Sequence, residues 1–463
     1  MKNIKYVFYP NSISVIGASR EPNKIGNVIV KNLVEGGFRG KIYPVNPNTE
    51  DILGLKCYKS ILDIPNSVDC AVICIKKEFV LDVIQQCAEK KVKSVIMITS
   101  GFSETGNEEM EKKILNICKQ NDIALIGPNC MGVIYTKNRV DSVFLPVYKM
   151  GRPKIGSISF ISQSGAIGGC ILDLAAYYGI GMNKFVSYGN GKLIGVEELL
   201  EYFESDNETK TLAIYFEGIR DGKRFIKALD KCTLKKPVVL LKGGKTSKSA
   251  KAIASHTSSL MGNHSSFRAV FKKTNTIEVD SIDELFDVVK VFMQPKIKGK
   301  RIGVITNGGG LGILVVDNLV EKGFELAELS QQKRDELRKI FPSELNIENP
   351  LDLLGDANTA RFEIALNAMM NEETVDAIIV CLLLQTISLD ATIINVLVRT
   401  NYFSKKPILI VAVGGEYTNS IVRVLESNNL PCYPSPERAV NALRKMYDYY
   451  ENLNHRLSRN RKN

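Results

Sequence analysis

The sequence predicts an α/β protein made of parallel sheets, and three observations carry that expectation. Short β-branched runs alternate with helical stretches along the 463 residues, the pattern of strand–helix–strand units. A larger unit of strand, small-residue turn and apolar helix occurs three times, as "SISVIGASREPNKIGNVIVKNLVEGG", "IGSISFISQSGAIGGCILDLAAYYG" and "RIGVITNGGGLGILVVDNLVEKG". The length suits about three domains of ~150 residues each.

Each copy opens one domain. The first domain is expected over residues 1–150, with strands in "SISVIG", "GKIYPVNP", "VDCAVICIK", "KSVIMITSG" and "IALIGPNC". The second is expected over 151–297, from "GRPKIGSISF" to the Pro/Gly/Lys linker "QPKIKGK". The third, over 298–455, carries "RIGVITN", "VDAIIVCLLL" and "PILIVAVGG", and residues 456–463 read as a frayed basic tail.

Composition narrows the function. Hydrophobic residues make up 44% of the chain, enough for ordinary cores. No apolar run approaches the ~20 residues of a membrane span, and the N-terminus enters a strand pattern without a cleavage region. A cytoplasmic protein without membrane association is expected. The ten cysteines are scattered and form no C-x-x-C pair, which suits reduced, buried thiols and no metal site. The net charge of +11 is spread along the chain. A nucleic-acid binder would cluster its basic residues beside aromatics, so no nucleic-acid partner is expected, and a small anionic ligand fits better.

The strand ends are where such a ligand would sit. Each small-residue turn presents free N–H groups at a helix N-terminus, which favours an anion. In the first domain, Gly17, Ala18 and Ser19, then Asn46 and Pro47, then Asn129, all follow predicted strands and would converge on the crevice of a doubly wound sheet. Arg20 and Lys24 in the first turn could neutralise phosphates. Asn46 stands where an acidic residue would hold an NAD ribose, which disfavours a dehydrogenase and suits coenzyme A. In the second domain, "SQSG" (Ser162, Gln163, Ser164, Gly165) opens a helix as a phosphate cradle, and Glu217 in "YFEG" ends a strand. "SHTSSLMG" places His256, one of three histidines, among small residues. Imidazole there is a competent nucleophile near neutral pH.

Together these segments resemble the α chain of the ADP-forming acyl-CoA synthetases (acetate–CoA ligase, ADP-forming), in the succinyl-CoA synthetase superfamily. The resemblance covers essentially the whole chain, through "GKIYPVNPN", "GLKCYKSILDIP", "GPNCMG", "FISQSGA", "YFEGIRDG", "SHTSSLMG" and "NPLDLLGDA" in order. It implies a CoA-binding Rossmann domain followed by two flavodoxin-like ligase domains. His256 matches the family's phosphorylated histidine and Glu217 its acidic partner. The implied reaction interconverts acyl-CoA, phosphate and ADP with carboxylic acid, CoA and ATP, through acyl phosphate and phosphohistidine. ADP or ATP and Mg2+ would be held by a separate ATP-grasp β subunit, in an α2β2 assembly. Three positions depart from the family pattern: Ser258 for a usual Gly, Leu193 for a usual acid and Lys76 for a usual Pro. A CoA-binding regulatory protein is the rival reading, but it would not need His256 and Glu217 together.

Overall fold

The computed structural model describes residues 2–249 and 264–460. These form two compact units, one of residues 1–177 and 181–279, the other of residues 178–180 and 280–463.

The first unit holds two large sheets and a two-stranded antiparallel one of Asp51–Ile52 and Leu55–Lys56. One large sheet contains β1 (Ser12–Ile16), β2 (Lys41–Val45), β3 (Cys70–Ile73), β4 (Ser94–Met97) and β5 (Ala124–Ile126), all parallel, in the order β2-β1-β3-β4-β5. Its helices are α1 (Ile25–Glu35), α2 (Val80–Glu89) and α3 (Glu108–Gln120). The order reverses beside β1, the topological switch point at which open α/β sheets take ligands. Apart from the start of β2 at Lys41 and Ile42, the strands are buried, as a sheet covered on two faces requires.

The second sheet contains β6 (Gly132–Tyr135), β7 (Val140–Asp141), β8 (Ile155–Ser162), β9 (Met182–Ser187), β10 (Thr211–Phe216), β11 (Val238–Lys242) and β12 (Ile277–Val279). Its order is β12-β11-β10-β8-β9-β6-β7. Helices α4 (Gly165–Tyr177), α5 (Val196–Ser205), α6 (Gly222–Lys235) and α7 (His264–Thr274) accompany it.

The expected division at residue 150 does not separate these sheets. β6 follows the first sheet in sequence but pairs antiparallel with β9 in the second, from Gly132–Ser187 to Tyr135–Lys184. One apolar core then runs from Val15, Val72 and Ile126 to Ile161, Val186 and Ile214. Phe8 stacks on Tyr202 with ring centroids 5.0 Å apart. Beside them the fully buried Lys184 donates to Asp206 at 2.9 Å and Glu208 at 3.2 Å.

The second unit is a parallel sheet of β13 (Arg301–Thr306), β14 (Glu325–Leu326), β15 (Leu351–Asp352), β16 (Ala377–Leu382), β17 (Ile408–Ala412) and β18 (Cys432–Tyr433). The order is β14-β13-β16-β17-β18, with β15 also pairing β13. Helices α8 (Ile282–Val291), α9 (Gly309–Glu321), α10 (Gln331–Arg338), α11 (Thr359–Asn371), α12 (Ile393–Phe403), α13 (Glu416–Ser427) and α14 (Pro436–Asn460) surround it. In "NPLDLLGDA", Asn349 accepts from the Val304 N–H at 2.9 Å and donates to the Ile302 and Ala327 carbonyls at 2.7 and 2.9 Å. That amide stitches β15 to β13.

Two segments near the expected boundaries are ordered here. Helix α8, assigned by sequence to the second domain, belongs to the second unit because its polar face is paired there. Asp287 accepts from Arg438, and Lys290 donates to Glu426 at 2.8 Å and to the Cys432 carbonyl at 2.7 Å. The expected tail is largely helical, since α14 runs to Asn460. No Gly or Pro interrupts it after Pro436, and pairs such as Arg444–Asp448 at 2.7 Å support it.

Candidate functional site

The turn between β8 and α4 forms the core of the site. β8 ends at Ser162, and α4 begins at Gly165 with its first N–H groups unpaired within the helix. Ser164, Gly165 and Ala166 line a cavity of about 700 Å3. The Ser164 hydroxyl receives the Ile167 N–H at 3.4 Å, so this serine also caps the helix. Ser162 was expected in the phosphate cradle, but it is fully buried and its hydroxyl donates to the Ser164 carbonyl at 2.6 Å. It shapes the turn from beneath.

Gln163 lines the cavity and ties three strand ends together. Its Oε1 accepts from the Glu217 N–H at 2.7 Å, the Gly218 N–H at 3.2 Å and the Tyr188 hydroxyl at 3.1 Å. Glu217, just beyond β10, therefore reaches the same cavity with its backbone fixed. Its Oε1 accepts from the Tyr215 hydroxyl at 3.1 Å.

Beneath Glu217 lies a lysine that sequence reasoning missed. Lys242, the last residue of β11, donates from Nζ to the Glu217 carbonyl at 2.7 Å and to the Gly243 carbonyl. The ammonium is buried beside the Phe216 and Phe267 rings, 5.2 and 5.3 Å from their centroids. Burial pulls its pKa from the ordinary 10.5 to about 8, against the opposing charge of Glu217 and with help from Lys245. A Cβ on Gly243 would lie 2.6 Å from the Tyr215 hydroxyl oxygen, so any larger residue there would displace that hydroxyl from Glu217.

The facing wall comes from the loops after β4, β5 and β9. Asn129 takes a left-handed backbone, with φ 57°. Gly189 has φ +55°, and a Cβ on it would sit 2.2 Å from the Asn129 carbonyl oxygen, so the two loops meet only because it is glycine. The Asn190 N–H donates to the Pro128 carbonyl at 3.0 Å, and the Asn190 amide donates to Glu104 at 2.6 Å and to Glu111 at 3.1 Å. Glu104 also accepts from the N–H groups of Gly101 and Phe102. Burial works to raise its pKa, but these donors outweigh it and hold the carboxyl below its ordinary range. "VSYGNG" reads as a glycine-bearing strand end, which is the signal for Asn190. The strand end of "KSVIMITSGFSE" offers the same signal for Glu104.

A second cavity of about 530 Å3 lies at the ends of β1, β2 and β3 and takes in Gly17, Asn46, Pro47 and Lys76. Gly17 has φ +94°, and a Cβ there would be 2.5 Å from the Cys74 carbonyl oxygen. Asn46 donates to the Ala18 carbonyl at 2.7 Å and accepts from the Asn48 N–H at 2.8 Å, locking the first turn to the end of β2. Ala18 is buried, and the Ser19 hydroxyl accepts from the Glu21 N–H at 3.1 Å.

The two basic candidates are not brought to this cavity. Arg20 is ion-paired with Asp51, and Lys24 is an exposed side chain 3.9 Å from Glu21. Leu193 is buried in an apolar cluster with Ile16 and Val45 rather than lining either cavity. His256 and Ser258 lie outside the described residues. The structure thus brings Asn129, Gln163, Ser164, Gly165 and Glu217 to one cavity and Gly17, Asn46 and Pro47 to another.

Three family models match the chain in succession: a CoA binding domain over residues 11–136, a succinyl-CoA ligase-like flavodoxin domain over 155–292 and a ligase-CoA domain over 302–451. The chain is 40% identical to the ADP-forming acetate–CoA ligase of Methanocaldococcus jannaschii, an alignment covering 96% of this chain and 63% of that one. It is 37% identical to the α subunit of the ADP-forming acetate–CoA ligase II of Pyrococcus furiosus, over 94% of this chain and 95% of that one. Its fold matches the dinucleotide-forming acetyl-coenzyme A synthetase 1 of Ca. Korarchaeum cryptofilum, solved with phosphate and ADP. That match has a TM-score of 0.90 at 34% identity and covers 99% of both chains. The chain therefore spans about the length of a separate α subunit, and less than two thirds of the Methanocaldococcus relative.

Proposed function

This chain belongs to the family of ADP-forming acid–CoA ligases, and from that premise we propose that it carries out the CoA-dependent half of the family's reaction. The observation that carries the reading is the meeting of the α4 N-terminus with Glu217 in one cavity of about 700 Å3. Gly17, Asn46 and Pro47 hold coenzyme A at the first sheet's switch point. Phosphate binds at the N–H groups of Ser164 and Gly165, where unpaired donors and the helix dipole favour an anion.

Phosphate oxygen attacks the thioester carbonyl of acyl-CoA, forming acyl phosphate and releasing CoA as thiolate. His256 then attacks the phosphorus, the bond to the acyl oxygen breaks, and the carboxylate leaves. Phosphoryl transfer of this kind is mainly positioning and charge stabilisation. Glu217 orients the imidazole, holds one tautomer and supports the cationic phosphohistidine, as the acid of a triad does. Gln163 and Lys242 keep Glu217 in place through its backbone. The phosphoryl group passes to ADP in a partner ATP-grasp β subunit, which supplies the Mg2+ site, in an α2β2 assembly.

The experiment is reconstitution. The purified chain should convert acetyl-CoA and phosphate to CoA, acetate and enzyme-bound phosphate but form no ATP from ADP until the β subunit is added. ATP synthesis by the homogeneous chain alone, or no CoA release even with the partner, would overturn this reading.

A further inference from the structure

The same cavity carries a second charge pattern. One end has the α4 N-terminus, Gln163 and Glu217. The lining also includes the apolar side chains of Ile25, Ile98, Met131, Phe144 and Leu145. Glu104, Thr105 and Asn190 line the same cavity. No lysine, arginine or histidine is among the described residues that line the cavity.

A single anionic group is accommodated at the α4 N-terminus by backbone donors. A second negative charge on the acyl tail would meet no lysine or arginine among those described lining residues and would share the cavity with the carboxylate of Glu104. That carboxylate is held by neutral donors. Asn190 donates to one oxygen at 2.6 Å, and the Gly101 and Phe102 N–H groups donate to the other at 2.5 and 3.2 Å. Lys77 packs its side chain towards Gly101 but does not line the cavity. Glu104 is not relieved by protonation, because those donors favour its charged form.

We propose that Glu104, positioned by Asn190, determines acyl specificity by excluding acids with a second negative charge and admitting monocarboxylic acids with uncharged tails. The inference rests on the reading that the acyl group of acyl-CoA lies in this cavity. It assigns selectivity to a repulsive element, one of the two ways a site can discriminate.

The test is calorimetric binding of butyryl-CoA and succinyl-CoA to the full chain. The wild type should prefer butyryl-CoA by about tenfold or more, the size expected for like charges several ångströms apart in a partly buried site. Glu104→Gln should reduce that preference by about tenfold, through tighter succinyl-CoA binding. Glu104→Asp, which keeps the charge, should retain the preference; a merely structural role would not separate these two variants. Thr105→Lys, on the exposed part of the wall, should strengthen succinyl-CoA binding relative to butyryl-CoA and serves if Glu104→Gln does not fold. An unchanged ratio in Glu104→Gln, or in Thr105→Lys where that variant stands in, overturns the assignment while leaving the ligase reading intact. Failure of the wild type to bind either ester sinks both.

Discussion

Replacing Lys242 with methionine tests whether the support of Glu217 is built as described. Lys242 is buried, and its pKa falls from the ordinary 10.5 to about 8. Below pH 8 the folded and unfolded chains both hold the proton, and the fold bears the whole cost of burying the charge. At about 1.4 kcal/mol per tenfold change, that cost is on the order of 3 kcal/mol. Between pH 8 and 10.5 the folded chain sheds the proton while the unfolded chain keeps it. The cost fades, and stability rises with pH in that window. Methionine preserves the stem against Phe216 and Phe267 but cannot titrate. In urea unfolding followed by circular dichroism, the stability of the first unit's transition, wild type minus Lys242→Met, should climb by about 2 kcal/mol from pH 8 to pH 10. The variant should also lower phosphate labelling, because the Glu217 carbonyl loses its donor. Parallel pH profiles for the two proteins would refute the burial argument.

Two further substitutions probe the cavity walls. Gly189→Ala places a Cβ against the Asn129 and Pro128 carbonyls at positive φ and should cost about 2 kcal/mol or more in denaturant unfolding; Gly310→Ala, which meets nothing within 4 Å, should stay within about 0.5 kcal/mol of the wild type. Gln163→Leu leaves the Glu217 and Gly218 N–H groups and the Tyr188 hydroxyl without their acceptor. It should cost about 2–3 kcal/mol and lower phosphate labelling at unchanged CoA affinity by calorimetry.

The parts of the fold that sequence makes plain are the local ones. A β-branched run ending in Gly17 or Ser164–Gly165 marks a turn on the way to a helix, tight after Ser162 and a longer loop after Ile16, and both turns open onto cavities. Glu217 was readable because a strand ends immediately before it. What sequence could not display are pairings made across long chain separations. Glu104 acquires its role from Asn190, 86 residues away, and Lys242 from the end of a neighbouring strand. The shared core of the first two sheets depends on β6 choosing β9, which no local pattern encodes. Arg20 and Lys24 resemble phosphate ligands by position alone, but acidic residues within reach, Asp51 and Glu21, give both a local partner. The basic C-terminal residues read as a tail by charge, although their spacing supports a continued helix.

The central claim is that His256 receives a phosphoryl group generated in the cavity of Ser164, Gly165 and Glu217. Incubating the chain with acetyl-CoA and radiolabelled phosphate, then mapping the label by mass spectrometry, addresses it most directly. The account predicts an acid-labile, alkali-stable label on His256 that is abolished in His256→Ala and diminished in Glu217→Gln. The label should persist in His264→Ala, whose imidazole is already engaged by Glu278 at 2.7 Å, and in His455→Ala. Label that survives in His256→Ala, or that maps to Ser258, would contradict it.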